Sequence, residues 1–120
     1  MIKDFRDLEI YQLANDLTLD VYEVIKDLPR SERYVLIDQL RRATTSIGAN
    51  IAEGFGRYHT KEYIKFLYIS RGSLMEVWHF LILAQKLGYV KEISSFETKI
   101  NKLAVKINNL IRAISSKKQQ

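Results

Sequence analysis

The chain is 120 residues long, has no cysteine, and carries 19 basic against 14 acidic side chains, a formal net charge of +5. Disulfides and thiolate metal sites are excluded, and the length suits one domain, residues 1–120, able to bury roughly two-thirds of its unfolded surface. The start, Met1 to Ile10, lacks an apolar signal core, and the longest uncharged apolar run, Val77 to Gln85, is too short to span a bilayer, so a cytoplasmic protein without membrane association is expected.

Helical periodicity predicts four helices. The first runs from about Asp7 to Asp27, with a seam at Ile10, Ala14, Leu17, Val21, Val24 and Leu28, and Leu28-Pro29 ends it because the residue before proline disfavours the α region. Ser31 is the expected cap of the second helix, which Gly54 and Gly56 finish. Its apolar face holds Leu36, Ile37, Leu40, Ala43, Thr44, Ile47, Ile51 and Gly54. One flank carries a polar ladder, Gln39, Arg42, Ser46, Asn50 and Glu53. Its short amides, hydroxyl and single charges suit packing against another polar surface, and Glu76 of the third helix is a candidate to join it as a buried carboxylate beside Glu53.

The third helix runs from Thr60 to about Leu87, with Gly88 as the left-handed residue that stops it. The fourth has a capping-box pattern, Ser94 with Glu97 three residues on, and a seam at Phe96, Ile100, Leu103, Ile107, Leu110 and Ile114. Lengths of roughly 30 to 40 Å joined by short loops predict an all-α, up-down-up-down four-helix bundle. Residues 115–120 are expected to fray as a basic tail.

The third helix is more apolar than one bundle needs. Beyond its two core seams lie Tyr68, Ile69, Met75, Ile82 and Leu83, and a helix apolar most of the way round must be covered on most sides. Self-association through this helix is the expectation.

Charge is unevenly spread. Residues 1–29 hold three basic and seven acidic side chains, residues 30–72 eight and four, and residues 91–120 seven and two. Acidic residues line the first helix (Glu9, Asp16, Asp20, Glu23, Asp27) and lysines the fourth (Lys99, Lys102, Lys106, Lys117), so these stripes either pair or leave a basic surface for an anionic partner. Candidate nucleic-acid contacts are Arg41, Arg42, Arg57, Lys61, Lys65, Lys99, Lys102 and Lys106, although Asp38 lies where it can pair with Arg41 or Arg42. The turn Gly54-Phe55-Gly56-Arg57-Tyr58-His59 precedes a helix N-terminus, where free N–H groups favour anions.

Catalytic chemistry has little to build on. The two histidines, His59 and His79, belong to no metal-ligand pattern, and the glycine turn lacks the GK[ST] of a phosphate-binding loop. No enzyme, metal or cofactor is expected.

Several runs resemble a known family: Phe5-x-x-Leu8, Pro29-x-x-Glu32-x-Tyr34-x-Leu36, Gln39-Leu40-Arg41-Arg42-Ala43, Ala49-Asn50-Ile51-Ala52-Glu53-Gly54 with Gly56-Arg57, and Arg71-Gly72-Ser73-Leu74-x-Glu76. They resemble the four-helix-bundle proteins encoded by intervening sequences of bacterial 23S rRNA genes, which are similar to the accessory variability determinant of diversity-generating retroelements. The resemblance implies a homopentameric ring and an RNA or DNA context, with a nucleoprotein or reverse-transcriptase-like partner. Two functions follow as expectations: a ring that binds nucleic acid through its basic residues, or a scaffolding oligomer whose charges, Arg42 and Glu53 among them, hold protomers together.

Overall fold

The computed structural model describes residues 1–119, with side chains through Lys117, so the side chains of Lys118 and Gln119 and all of Gln120 lie outside the described residues. The order is α1 (Glu9–Asp27), α2 (Asp38–Phe55), α3 (Thr60–Lys86) and α4 (Ser94–Gln119), an antiparallel bundle of 51 × 24 × 22 Å. Each helix packs on its two ring neighbours, and the α2–α3 hairpin is the most extensive pairing.

The third helix begins at Thr60 as expected, whereas the starts of the other three differ from the expectation. At the first, the Asp4 carboxylate accepts the Arg6 N–H at 2.9 Å and the Asp7 carboxylate accepts the Lys3 N–H at 2.8 Å. This box closes a 3₁₀ turn, Phe5–Asp7, and extended Leu8 separates it from α1. The seam of α1 ends on Ile25 and Leu28; Val24, expected inside, is only half-buried. At 3.6 residues per turn the step from Val21 to the next core position is four, which selects Ile25.

Ser31 caps nothing. Pro29, with φ −65°, starts a 3₁₀ turn at once, so Ser31 already lies inside Arg30–Glu32. A π-helical turn, Arg33–Ile37, follows and feeds directly into α2. The Ser94–Glu97 box is also not formed. The Glu92 carboxylate takes the Ser94 N–H at 2.8 Å, while the Glu97 carboxylate is drawn across the bundle to accept the Trp78 indole N–H at 2.8 Å. Gly88 does end α3 in the left-handed region (φ +85°), its N–H and that of Tyr89 bonding to Gln85 and Ala84 at 3.0 Å each. Residues 115–119 continue α4 where fraying was expected, with Ile111 buried and Ile114 half-buried beneath the last turns.

The Ser94 N–H holds the Glu92 carboxyl below its ordinary value of 4.5. A lowered folded-state pKa means that the capping contribution is present above that value and lost as pH falls through the folded pKa. The Ser94 amide shift, followed by NMR, should therefore titrate below pH 4.5, and Glu92→Gln should abolish that titration.

Every seam carries a polar bond that sets its register. Thr18 Oγ1 donates to the Thr44 carbonyl at 3.0 Å between α1 and α2, and Ser70 Oγ to the Ile47 carbonyl at 2.8 Å between α2 and α3. Trp78–Glu97 and Arg71–Asn108 (2.5 Å) join α3 to α4, and Lys106–Glu9 (2.9 Å) with Lys99–Asp20 joins α4 to α1. Among the described residues no buried side-chain polar atom lacks a partner.

Candidate nucleic-acid interface

The eight candidate cations divide into paired and unpaired groups. Arg42 pairs with Asp38 at 3.2 Å and Arg57 with Glu53 at 2.5 Å, each one helical turn away. The Arg57 guanidinium also lies 4.9 Å from the centre of the Phe66 ring. Lys99 and Lys106 reach Asp20 and Glu9, so the acidic and basic stripes lie side by side within one protomer. Arg41, Lys61, Lys65 and Lys102 make no ion pair among the described residues.

These four do not form one patch. Lys61 and Lys65 flank an open groove on α3 with Glu62, Ile64, Tyr68 and Ile69, at the end of the bundle that holds the Gly54–Arg57 turn. Lys102 borders a groove of about 390 Å³ between α1 and α4, across from Asp16. Arg41 sits toward the opposite end. A cleft of about 540 Å³ gathers it with Lys26, Arg30 and Arg33 over Leu28 and Ile37. Sequence inspection missed three of those four cations because the cleft is assembled from α1, the irregular corner and α2. The signal for the arginines was the helical spacing of three, four and four from Arg30 through Arg33 and Ile37 to Arg41.

The polar ladder is broken into local sets. Ser46 Oγ and Ser73 Oγ are 2.9 Å apart, and the Asn50 amide donates to the Ser46 carbonyl and hydroxyl at 2.8 Å each. The Ser46–Ser73 bond bridges α2 and α3 inside the protomer, and Asn50 supports it from within α2. Gln39 and Glu76 are exposed and make no side-chain hydrogen bond among the described residues. Glu76 does not join Glu53 as a buried carboxylate pair. With Ser73 level with Ser46 and the helices antiparallel, Glu76 lies near Arg42, and Glu53 is exposed and taken by Arg57.

Of the apolar residues set aside on α3, Tyr68, Ile69 and Met75 are exposed by 48%, 42% and 39%, while Ile82 and Leu83 are half-buried. His79 is exposed on the same helix with its ring edge-on to Phe80. Among the described residues no group of three or more histidine, aspartate or glutamate side chains is placed to hold a metal ion. No helix of the described residues is long and apolar enough to cross a membrane.

Fold and surface define a small antiparallel four-helix bundle with unpaired cations at both ends and an uncovered apolar face on α3. The chain belongs to the 23S rRNA-intervening sequence protein family, whose model matches residues 6–115. It is similar in structure to a protein of unknown function from the S23 ribosomal protein family of Bacteroides thetaiotaomicron. The TM-score is 0.69 at 25% identity, covering 88% of this chain and 96% of that one. Neither description indicates an enzymatic family. Among proteins with curated functions, none matches the chain.

Proposed function

We propose that this protein is a non-enzymatic, cytoplasmic, ring-forming bundle that binds RNA or DNA through its unpaired cations, alone or with a nucleoprotein such as a reverse transcriptase. The observation that carries this reading is that Arg41, Lys61, Lys65 and Lys102 remain without acidic partners after the α1 and α4 stripes have neutralised Lys99 and Lys106. The family is named for the 23S rRNA intervening sequence, and that name supports structured RNA as the first ligand to try. The exposed Tyr68, Ile69 and Met75 support self-association through α3, and the resemblance to the retroelement accessory protein supplies five as the subunit number. A scaffold held by charges between protomers has weaker support, because Arg42 and Glu53 each find a partner in their own chain.

Fluorescence anisotropy with 23S rRNA fragments and duplex DNA tests the proposal. If about four phosphates are neutralised, affinity should fall by roughly 10²-fold between about 50 and 200 mM salt. Lys61→Glu with Lys65→Glu should weaken binding further at fixed salt. Absence of binding at the lowest salt would sink the proposal.

A further inference from the structure

The cleft at the α1–α2 corner carries charge of one sign. Its walls are Lys26, Arg30, Arg33 and Arg41, its floor is apolar, and no acidic side chain lines it. Of the nearby acids, Glu32 accepts the Tyr89 hydroxyl at 3.0 Å, Asp38 holds Arg42 and Glu23 holds Lys26 at 2.9 Å, while Asp27 lines a separate groove with Asp20, Glu23 and Lys99. Arg30, Arg33 and Arg41 make no ion pair among the described residues.

Residue spacing and backbone winding together build this arrangement. The 3₁₀ turn closes with the Arg33 N–H on the Arg30 carbonyl, so these residues, three apart, share its side. The wider π turn that follows carries the line from Arg33 through Ile37 toward Arg41. The steps of three, four and four residues keep Arg30, Arg33, Ile37 and Arg41 on one side of the winding. π turns inside helices are found disproportionately at functional sites.

Beside the cations stands an aromatic ring with nothing over most of it. Tyr34 is 78% exposed, and the Arg33 guanidinium lies 5.5 Å from its ring centre and donates to its hydroxyl at 3.4 Å. Arginines set in a row match successive phosphates, because the planar guanidinium binds phosphate in a bidentate way. An exposed ring beside such a row is the pairing that single-stranded nucleic acid uses, with bases stacking on aromatics while the backbone follows the charge. A duplex hides its base faces and gains nothing from Tyr34.

We propose that the corner cleft is a single-strand site, in which Arg30, Arg33 and Arg41 hold consecutive phosphates of an RNA or DNA strand and Tyr34 stacks on one of its bases. This rests on the nucleic-acid reading above and narrows it to a ligand form and a place.

The test uses the full chain and fluorescein-labelled strands of about 12 nucleotides, within the size range of such sites, as single-stranded RNA, single-stranded DNA and a duplex of the same sequence. Arg30→Glu with Arg33→Glu should weaken single-strand binding by at least about tenfold. Tyr34→Ala should weaken it by about 5- to 150-fold while leaving duplex affinity unchanged, and Tyr34→Phe should retain it. All three side chains are exposed, so the variants should melt like the parent. Single-strand binding that is indifferent to both changes would overturn this site and leave the broader function standing. So would displacement of the strand by inorganic phosphate at equal ionic strength, since that would mark a site for free phosphate. Failure of the parent to bind any of the three strands would overturn both.

Discussion

Gly54→Ala is expected to destabilise the bundle by about 1–3 kcal/mol, even though alanine is the better helix former. A Cβ at Gly54 would sit 2.8 Å from the Phe66 Cβ, 3.1 Å from Tyr63 Cδ1 and 3.3 Å from the Tyr63 carbonyl oxygen. The first and last of those atoms are fixed by the backbone of α3, so relief requires α2 and α3 to move apart. That would strain Ser70–Ile47 and Ser46–Ser73, which fix the same hairpin. Gly72→Ala is the control with the opposite sign. Nothing lies within 4 Å of a Cβ there, so in the protomer the change should stabilise by about 0.5–1 kcal/mol. Urea denaturation followed by circular dichroism measures both. A Gly54→Ala midpoint at or above that of the parent would show that the hairpin opens freely.

Much of this architecture is legible in the sequence because burial and period are linked. Leu36, Ile37, Leu40, Ala43, Thr44, Ile47, Ile51 and Gly54 are all buried, as their spacing predicts, and Gly88 stops α3 where only a residue tolerant of positive φ is comfortable. Caps are less legible. Ser31 and Ser94 are good capping residues by type, but each lies one or more positions inside the turn that Pro29 or Glu92 begins. Glu97 shows the competition directly, because its carboxylate satisfies a half-buried Trp78 indole that no local pattern reveals.

The candidate interface was harder to read because it depends on which charges neutralise one another. The α1 and α4 stripes are visible as periodic charge, yet only the antiparallel register sets Lys106 against Glu9 and Lys99 against Asp20. Likewise the steps of three, four and four from Arg30 through Arg33 and Ile37 to Arg41 are readable as one helical side, but Lys26 of α1 joins them only through the way the chain turns at Pro29. Local i,i+4 pairing, by contrast, was foreseeable for Arg42, since Asp38 stands one turn before it.

Leu74→Ala should cost about 2–5 kcal/mol, and Met75→Ala, one residue on, less than about 1 kcal/mol in an isolated protomer. Leu74 is fully enclosed in the bundle, and truncation leaves a cavity that its rigid neighbours only partly fill. Met75 is 39% exposed on the outer side of α3, two turns along the same helix from Tyr68. The contrast becomes informative about assembly when protein concentration is varied. A residue buried only between subunits stabilises in proportion to association, so its loss should lower the melting temperature by an amount that depends on concentration. The Leu74→Ala penalty within the protomer core has no such dependence. If α3 is the subunit boundary, Met75→Ala should shift sedimentation toward smaller species and show that dependence. Unchanged sedimentation together with a concentration-independent melt would remove the outer face of α3 as the boundary, because truncating a side chain at the centre of a packed contact cannot leave both untouched.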